Sequence, residues 1–388
     1  MRKRTILLSL GTVALLVLIA VPFALAPRQA TTKALPMIAI DSSEQAQTID
    51  AMRPPKRERP VIAIATFNKA TEVTDFLVAY GVLKRADVAD VTVVAERAEP
   101  VQLYASLSIQ PGSSMHAFDA RYPDGADYVV VPAMDPGTDP FVAGWIAAQH
   151  RKGAKIVSIC NGSRMLSTAG LLDGRRATGH WSAIPELTKK HPRMQWAQDR
   201  RYVADNGVIT STGITASIPV MLALVEAIAG RDVVARVAKA VGVETWDARH
   251  RSAAFELTNE HRKTFVRNKL TLWRHETVGV PIAGGVDEIA LGLTVDAYSR
   301  TELTRVITLG HNGEAVRSRH GLVIRPDRAT GSVTVDDMLP LPSPDAPAKT
   351  IERELARIAS RYDRPTAEIV ALVMEYPWTA DDARMALR

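Results

Sequence analysis

One cysteine in the whole chain, Cys160, leaves no partner for an internal disulfide, so packing rather than covalent stapling must hold the fold. Paired Cys/His fingers are excluded with it. His116, His250, His261, His275 and His320 fall at none of the spacings that bring two imidazoles onto one metal, so no metal site is expected, and no cofactor. Aromatic residues make up only 5%, with no RNA-binding aromatic motif and no helix-turn-helix carrying basic recognition residues. Nucleic acid is therefore not an expected partner. Low-complexity tracts are absent too, and at 46% hydrophobic and 23% charged the composition is that of a folded protein. The net charge of +6 is spread along the chain, a mild bias toward an anionic surface or an acidic ligand. At 388 residues the chain exceeds a single ordinary core, and two globular units are expected.

What is present begins with Arg2, Lys3 and Arg4, followed by an apolar run over 5–26 that reaches the length of about 20 residues needed to cross a bilayer. The basic cluster stays cytoplasmic by the positive-inside rule, which places everything after it outside the cytoplasm. Residues 1–27 read as an uncleaved anchor, with a cleaved signal as the alternative. Ala24-Leu25-Ala26 has the small residues of a cleavage site, but Pro27 follows at once. Residues 28–58, ending in "MRPPKRERP", read as an extended tether.

From residue 59 the chain alternates. "PVIAIAT", "DVTVVAE", "DYVVVPA", "KIVSI" and "NGVITST" are short continuous apolar runs, as strands buried on both faces require. Helical patterns over 72–84, 141–152 and 214–229 fall between and after them, and "VQLYASLSI" reads as a strand or hairpin. This is an α/β fold, a parallel sheet sandwiched by helices. Ligands in such sheets sit at the carboxyl ends of strands, and Cys160 lies at one.

Cys160 ends a strand that turns directly into a helix. Such a junction forces the middle residue into a strained conformation and lifts its side chain above the sheet. Ser158 and Gly162 on either side are small enough to let strand and helix approach. The helix starting near Asn161 turns its positive end toward the thiol, from which a depressed thiol pKa is expected. Cysteine elbow and small buried hydrophobe are both open readings of a lone cysteine.

The stretch "VSICNGSRMLSTAGLLDGRRATGHW" (157–181) resembles the ThiJ/PfpI family, relatives of class I glutamine amidotransferases, and the resemblance extends over about 59–242. It is most similar to the branch shared by isonitrile hydratases and the sensory domains of AraC-type regulators. The resemblance implies a flavodoxin-like sheet, Cys160 as the elbow cysteine and His180 as its neighbouring histidine. It also implies an acid at the start of the first helix: Asp75 is the best match and Glu72 the reserve. Met134 and Asn161 stand where backbone amides would face an oxyanion or ligand. The family's Pro-Gly-Gly loop is Pro132-Ala133-Met134 here. Ser182 replaces the glutamate that completes an amidotransferase triad, which argues against glutaminase chemistry. Two functions are implied: hydration or hydrolysis of a small carbon–nitrogen compound, or a non-catalytic small-molecule or redox sensor without a DNA-binding domain.

Residues 246–276 read as a connecting segment. From Val278, "VGVPIAGGVDEIALGLTVDAYSR" repeats the opening strand and helix, and "RVITLG" and "GLVIRPD" supply further strands, but no second cysteine elbow follows. The second half, 277–388, is expected to be a truncated, degenerate repeat. Ala290 stands at the position of Asp75, with Asp287 and Glu288 just before it. A homo-oligomer or an internal pseudo-dimer would follow.

Overall fold

The computed structural model describes residues 37–378. The anchor expected over 1–27 lies outside the described residues; among those described, no helix is long and apolar enough to cross a membrane. The expected tether departs from extended chain: Ser42–Ala51 form a helix, α1, capped by the Asp41 side chain on the Ser43 amide. Glu44 on this helix pairs with Arg176 and Arg200, and Met52 just after it is fully buried. These long-range contacts, rather than local composition, fold the segment onto the body.

The main sheet is built from β1 (Val61–Thr66), β2 (Asp90–Ala95), β3 (Ser113–Ser114), β4 (Tyr128–Val131), β5 (Lys155–Ser158), β6 (Tyr202–Asp205) and β7 (Val208–Ser211), in the order β6-β7-β5-β4-β1-β2-β3. All neighbours run parallel except β6 against β7. Every residue of β1 is buried. Alternation sends Ile62 and Ile64 to one face and Val61, Ala63 and Ala65 to the other, and each face meets its own apolar cluster. Helix α2 (Val73–Ala86) covers the first face with α5 (Ser217–Ala229), while α3 (Pro140–Arg151) lies on the other. The stretch 101–109 is a hairpin, Val101–Tyr104 against Ser108–Ile109.

The second half carries a smaller parallel sheet of β8 (Glu276–Ile282), β9 (Thr304–Gly310), β10 (Arg328–Ala329) and β11 (Asp337–Met338), ordered β10-β9-β8-β11. That order is also found in β3-β2-β1-β4 of the main sheet. The stretch "GLVIRPD" does not join it. Its strand, Val323–Arg325, instead pairs with Ser108–Ile109 of the first half.

Helix α6 (Glu288–Ser299) follows β8 as α2 follows β1, and the two pack closely. Glycines make this possible: a side chain on Gly81 would press on Ile289, and one on Gly292 would press on Leu77. Thr74 Oγ1 donates to the Gly292 carbonyl at 3.0 Å. The ends of the helices are tied reciprocally. Arg85, late in α2, pairs with Asp287, the N-cap of α6, at 2.5 Å. Arg300, just past α6, pairs with Glu72, the N-cap of α2, at 3.2 Å. Such exchange of equivalent contacts is the signature of a two-fold interface. One hydrophobic core runs through it, from Ile62 and Leu77 to Val278, Ile289 and Leu355 of α7 (Thr350–Arg361).

Candidate functional site

Cys160 sits between β5 and α4 (Gly162–Thr168) with φ +54°, a left-handed conformation that a residue with a Cβ adopts only under constraint. The constraint is visible on both sides. The Cys160 amide donates to Thr212 at 3.0 Å, and the Ser163 hydroxyl returns to the Cys160 carbonyl at 3.0 Å. A methyl group at Gly162 would land on the carbonyl oxygen of Val131, so only glycine lets the helix start this close to the sheet. The elbow expected from local sequence is therefore present.

Its electrostatics differ from the expectation. The thiol is 3% exposed, and burial pushes its pKa well up, with Asp75, Glu72 and Glu375 adding to the rise. The Asn161 amide favours the thiolate, as expected, but is outweighed. Helix α4 is short, and taking an anion out of water costs more than one amide returns.

Asp75 and Glu72 both reach the site, at the start of α2. Glu72 caps the helix, accepting from the Asp75 amide at 2.5 Å, and Asp75 accepts from the Ala133 amide at 3.0 Å through Oδ2. Asp75 Oδ1 is buried without a partner. Burial raises the Asp75 pKa to about 7, against the pull of the Ala133 amide and with the help of Asp296; Glu72 is also raised well above the usual range, by burial and by Asp296 and Asp75. The second half supplies the other members. Arg300 donates to Asp296 at 2.7 Å as well as to Glu72, and lies 6.0 Å from the Tyr104 ring. Three buried carboxyls thus surround one guanidinium, a charge balance that favours at least one bound proton.

Met134 pairs with Thr71 in an isolated bridge whose bonds use the Ala133 carbonyl and the Asp135 amide, leaving the Met134 amide outside both. Asn161 precedes α4 without a side-chain cap, and its Oδ1 is buried without a partner. His180 is buried and turned to other business. Its Nδ1 meets the Ser182 hydroxyl at 2.7 Å, and Nε2–H donates to the Val373 carbonyl at 3.0 Å. Burial lowers its pKa, so the ring is neutral. Ser182 thus holds the ring where an amidotransferase would use a glutamate.

Val373 belongs to the end of α8 (Arg364–Val373), and the residues after it run across the elbow. Glu375 is 4% exposed and accepts from the Gly213 amide, next to the Thr212 that holds Cys160. Sequence patterns point to neither Glu375, Asp296 nor Arg300: each is remote in sequence, and no motif links it to Cys160. Two surface cavities of about 440 and 430 Å³ are lined by other residues, among them Glu276 and Trp145, and neither includes the cysteine. Among the described residues no acidic, histidine or cysteine cluster has the make-up of a metal site.

A doubly wound α/β domain with a cysteine on a strand-to-helix elbow is the class that fold and site define. Residues 61–227 match the DJ-1/PfpI family, and the chain carries a domain of that family. The HTH-type transcriptional regulator CdhR of Pseudomonas aeruginosa is 40% identical over 98 residues, 25% of this chain and 29% of that protein. Isonitrile hydratase of Pseudomonas putida is 34% identical over 113 residues, 28% of this chain and 45% of the enzyme. The chain therefore spans less than half the length of either. Protein dj-1beta of Drosophila melanogaster is 26% identical over 182 residues, 46% of this chain and 94% of that protein. Its crystal structure aligns with a TM-score of 0.42, at 26% identity, over 48% of this chain and all of that one.

Proposed function

We propose that the Cys160 elbow acts on a small carbon–nitrogen compound, adding water to it or hydrolysing it. The observation that carries this reading is the buried Asp75 carboxyl, with a pKa of about 7, beside an elbow thiol. A group poised near neutrality both takes and gives a proton at working pH. The thiol proton passes to Asp75, which also removes one of the negative charges opposing the thiolate. Sγ attacks the electrophilic carbon, and Asp75 returns the proton to the substrate: to the carbon of an isonitrile, leaving a thioimidate, or to the nitrogen of an amide, which departs as the amine and leaves a thioester. Water then adds to that carbon as the C–S bond breaks, one of its protons regenerating the thiol and the other going to the nitrogen of the resulting formamide or staying on the resulting acid. The Asn161 and Met134 amides face the developing charge, and neutral His180 serves as a polar wall. The similarity to isonitrile hydratase supports the substrate class.

The test is turnover of a panel of isonitriles and amides by the wild type, Cys160→Ser and Asp75→Asn. Loss of turnover by at least about 100-fold in each variant is expected. Undiminished turnover by Cys160→Ser would remove the thiol from the chemistry. The closed state of the elbow favours a second reading, a sensor that binds the same class of molecule without converting it, as the similarity to regulators suggests. Saturable binding with no turnover would select it.

The second half we take as a truncated copy of the first, standing where a partner subunit would. The matching strand order and the reciprocal Arg85–Asp287 and Arg300–Glu72 pairs support this. The apolar run over 5–26 supports tethering to a membrane with the body outside the cytoplasm. A reporter enzyme that folds only outside the cytoplasm, fused after residue 388 and found inactive, would reverse that topology.

A further inference from the structure

We infer that the Cys160 site receives its ligand through a carboxylate, and that Glu375 fills the place of that carboxylate while the site is closed. This rests on the reading that Cys160 marks a small-molecule site, and it names a group the ligand carries.

Glu375 is an acidic residue held inside the protein, in a left-handed backbone conformation with φ +53°. A glutamate gains nothing locally from that conformation, so the surroundings hold it there. Its carboxylate meets two groups of complementary character and feels the charge of a third. The Gly213 amide donates to Oε2, His250 Nε2 lies 3.5 Å from Oε1, and Glu375 is the strongest counter-charge acting on Arg201. His250 is 2% exposed, stacks on Phe255, and has no hydrogen-bond partner at Nδ1. A side chain at Gly213 would overlap Glu375 itself, so the carboxylate sits directly on the backbone. This is how a small carboxylate is bound: one backbone amide and one imidazole in contact with it, with the positive charge of Arg201 acting from farther off. The position is also the right one, because the neighbouring Thr212 holds the Cys160 amide and the Glu375 charge acts on the thiol.

What keeps Glu375 in place is a strap over 372–376, the end of α8 and the residues after it, with Met374 buried in the core. Thr215 donates to the carbonyls of Met374 and Glu375 at 3.0 and 2.8 Å. His180 and Trp181 donate to those of Val373 and Leu372, both at 3.0 Å. Displacing Glu375 exchanges one carboxylate for another on the same donors, so a ligand carboxylate replaces what the strap gives up.

The experiment alkylates Cys160, the only thiol in the chain, with iodoacetamide and with iodoacetate, near-isosteres that differ in a carboxylate. Rates are read by mass spectrometry on the full chain, in the wild type and in Glu375→Ala. Slow labelling of the wild type by both reagents is expected. In Glu375→Ala the iodoacetate rate should rise at least about tenfold more than the iodoacetamide rate, a difference of about 1.4 kcal/mol. The buried Asp75 and Glu72 act against the anionic reagent, so a preference for it requires a new carboxylate site. Equal acceleration of both would make the strap a plain steric cover, and no acceleration of either would deny that it closes the site; each overturns the inference. Should the variant fold poorly, millimolar formate or acetate added to the wild type should speed iodoacetamide labelling, where chloride at equal ionic strength does not. Labelling speeded no more by the carboxylates than by chloride would overturn it as well. Labelling needs no turnover, so failure of the catalytic reading leaves this result standing by itself.

Discussion

Replacing Asp75 by Asn should stabilise the protein at high pH and leave it nearly unchanged at low pH, although the residue is fully buried. The reason is proton linkage. Asp75 carries a pKa of about 7 in the folded state, against 3.8 ordinarily. The folded state therefore holds a proton over a range in which the unfolded chain has released it, and stability falls as pH rises through that range. The full window runs from about pH 4 to about pH 7. Raising the Asp75 pKa from 3.8 to about 7 corresponds to about 4 kcal/mol at pH 8. Glu72 shares the same buried space, so we expect the substitution to recover about 2 kcal/mol. Asparagine keeps the oxygen that accepts from the Ala133 amide and removes the charge that burial and Asp296 oppose. The assay is urea unfolding at pH 5 and pH 8, with the difference between variant and wild type compared at the two values. Wild type and variant running in parallel across that range would mean that Asp75 is ionised throughout, and both the linkage and the proton shuttle would fall. A variant less stable at pH 8 than at pH 5, relative to wild type, would refute the sign as well.

Gly162→Ala should cost at least about 3 kcal/mol, because its methyl group meets the Val131 carbonyl at a backbone position that cannot move without separating α4 from the sheet; a variant unfolding with the wild type would contradict the elbow geometry. Residues 59–245 expressed alone should aggregate or pair with themselves, since removing α6 uncovers the face of α2 around Leu77 and Gly81. Sedimentation showing a stable monomer would show that the second half is no partner for that face.

How much of this could be read from the chain depends on the range of the forces involved. The alternating sheet and the cysteine elbow are written locally. Apolar runs such as "VIAIAT" leave no polar face for solvent, and Ser158, Cys160 and Gly162 stand within a few residues of the turn they shape. Asp75 and Glu72 are legible through family resemblance for the same reason, since both lie in the first turn that follows β1. The state of the thiol is another matter. Its pKa is a sum over burial and over charges from Asp75, Glu72 and Glu375, and burial reverses what the Asn161 amide by itself would produce.

Helix α1 shows the same division from the opposite side. Prolines and charges in its neighbourhood suggest an extended tether, but Glu44 finds Arg176 and Arg200, and Met52 finds the core. Arg300, Asp296 and Glu375 are ordinary charged residues of the second half until α6 packs on α2 and the end of α8 crosses the elbow. By itself the sequence determined the strands and the elbow, because short-range sterics and burial periodicity depend on neighbouring residues, while the acid at the start of α2 was implied only by the family resemblance. Only the tertiary structure decided which distant charges enclose the cysteine, and hence that it rests as a buried thiol behind a strap. Desolvation and Coulomb energies are set by every group within a few ångströms in space, whatever its distance along the chain.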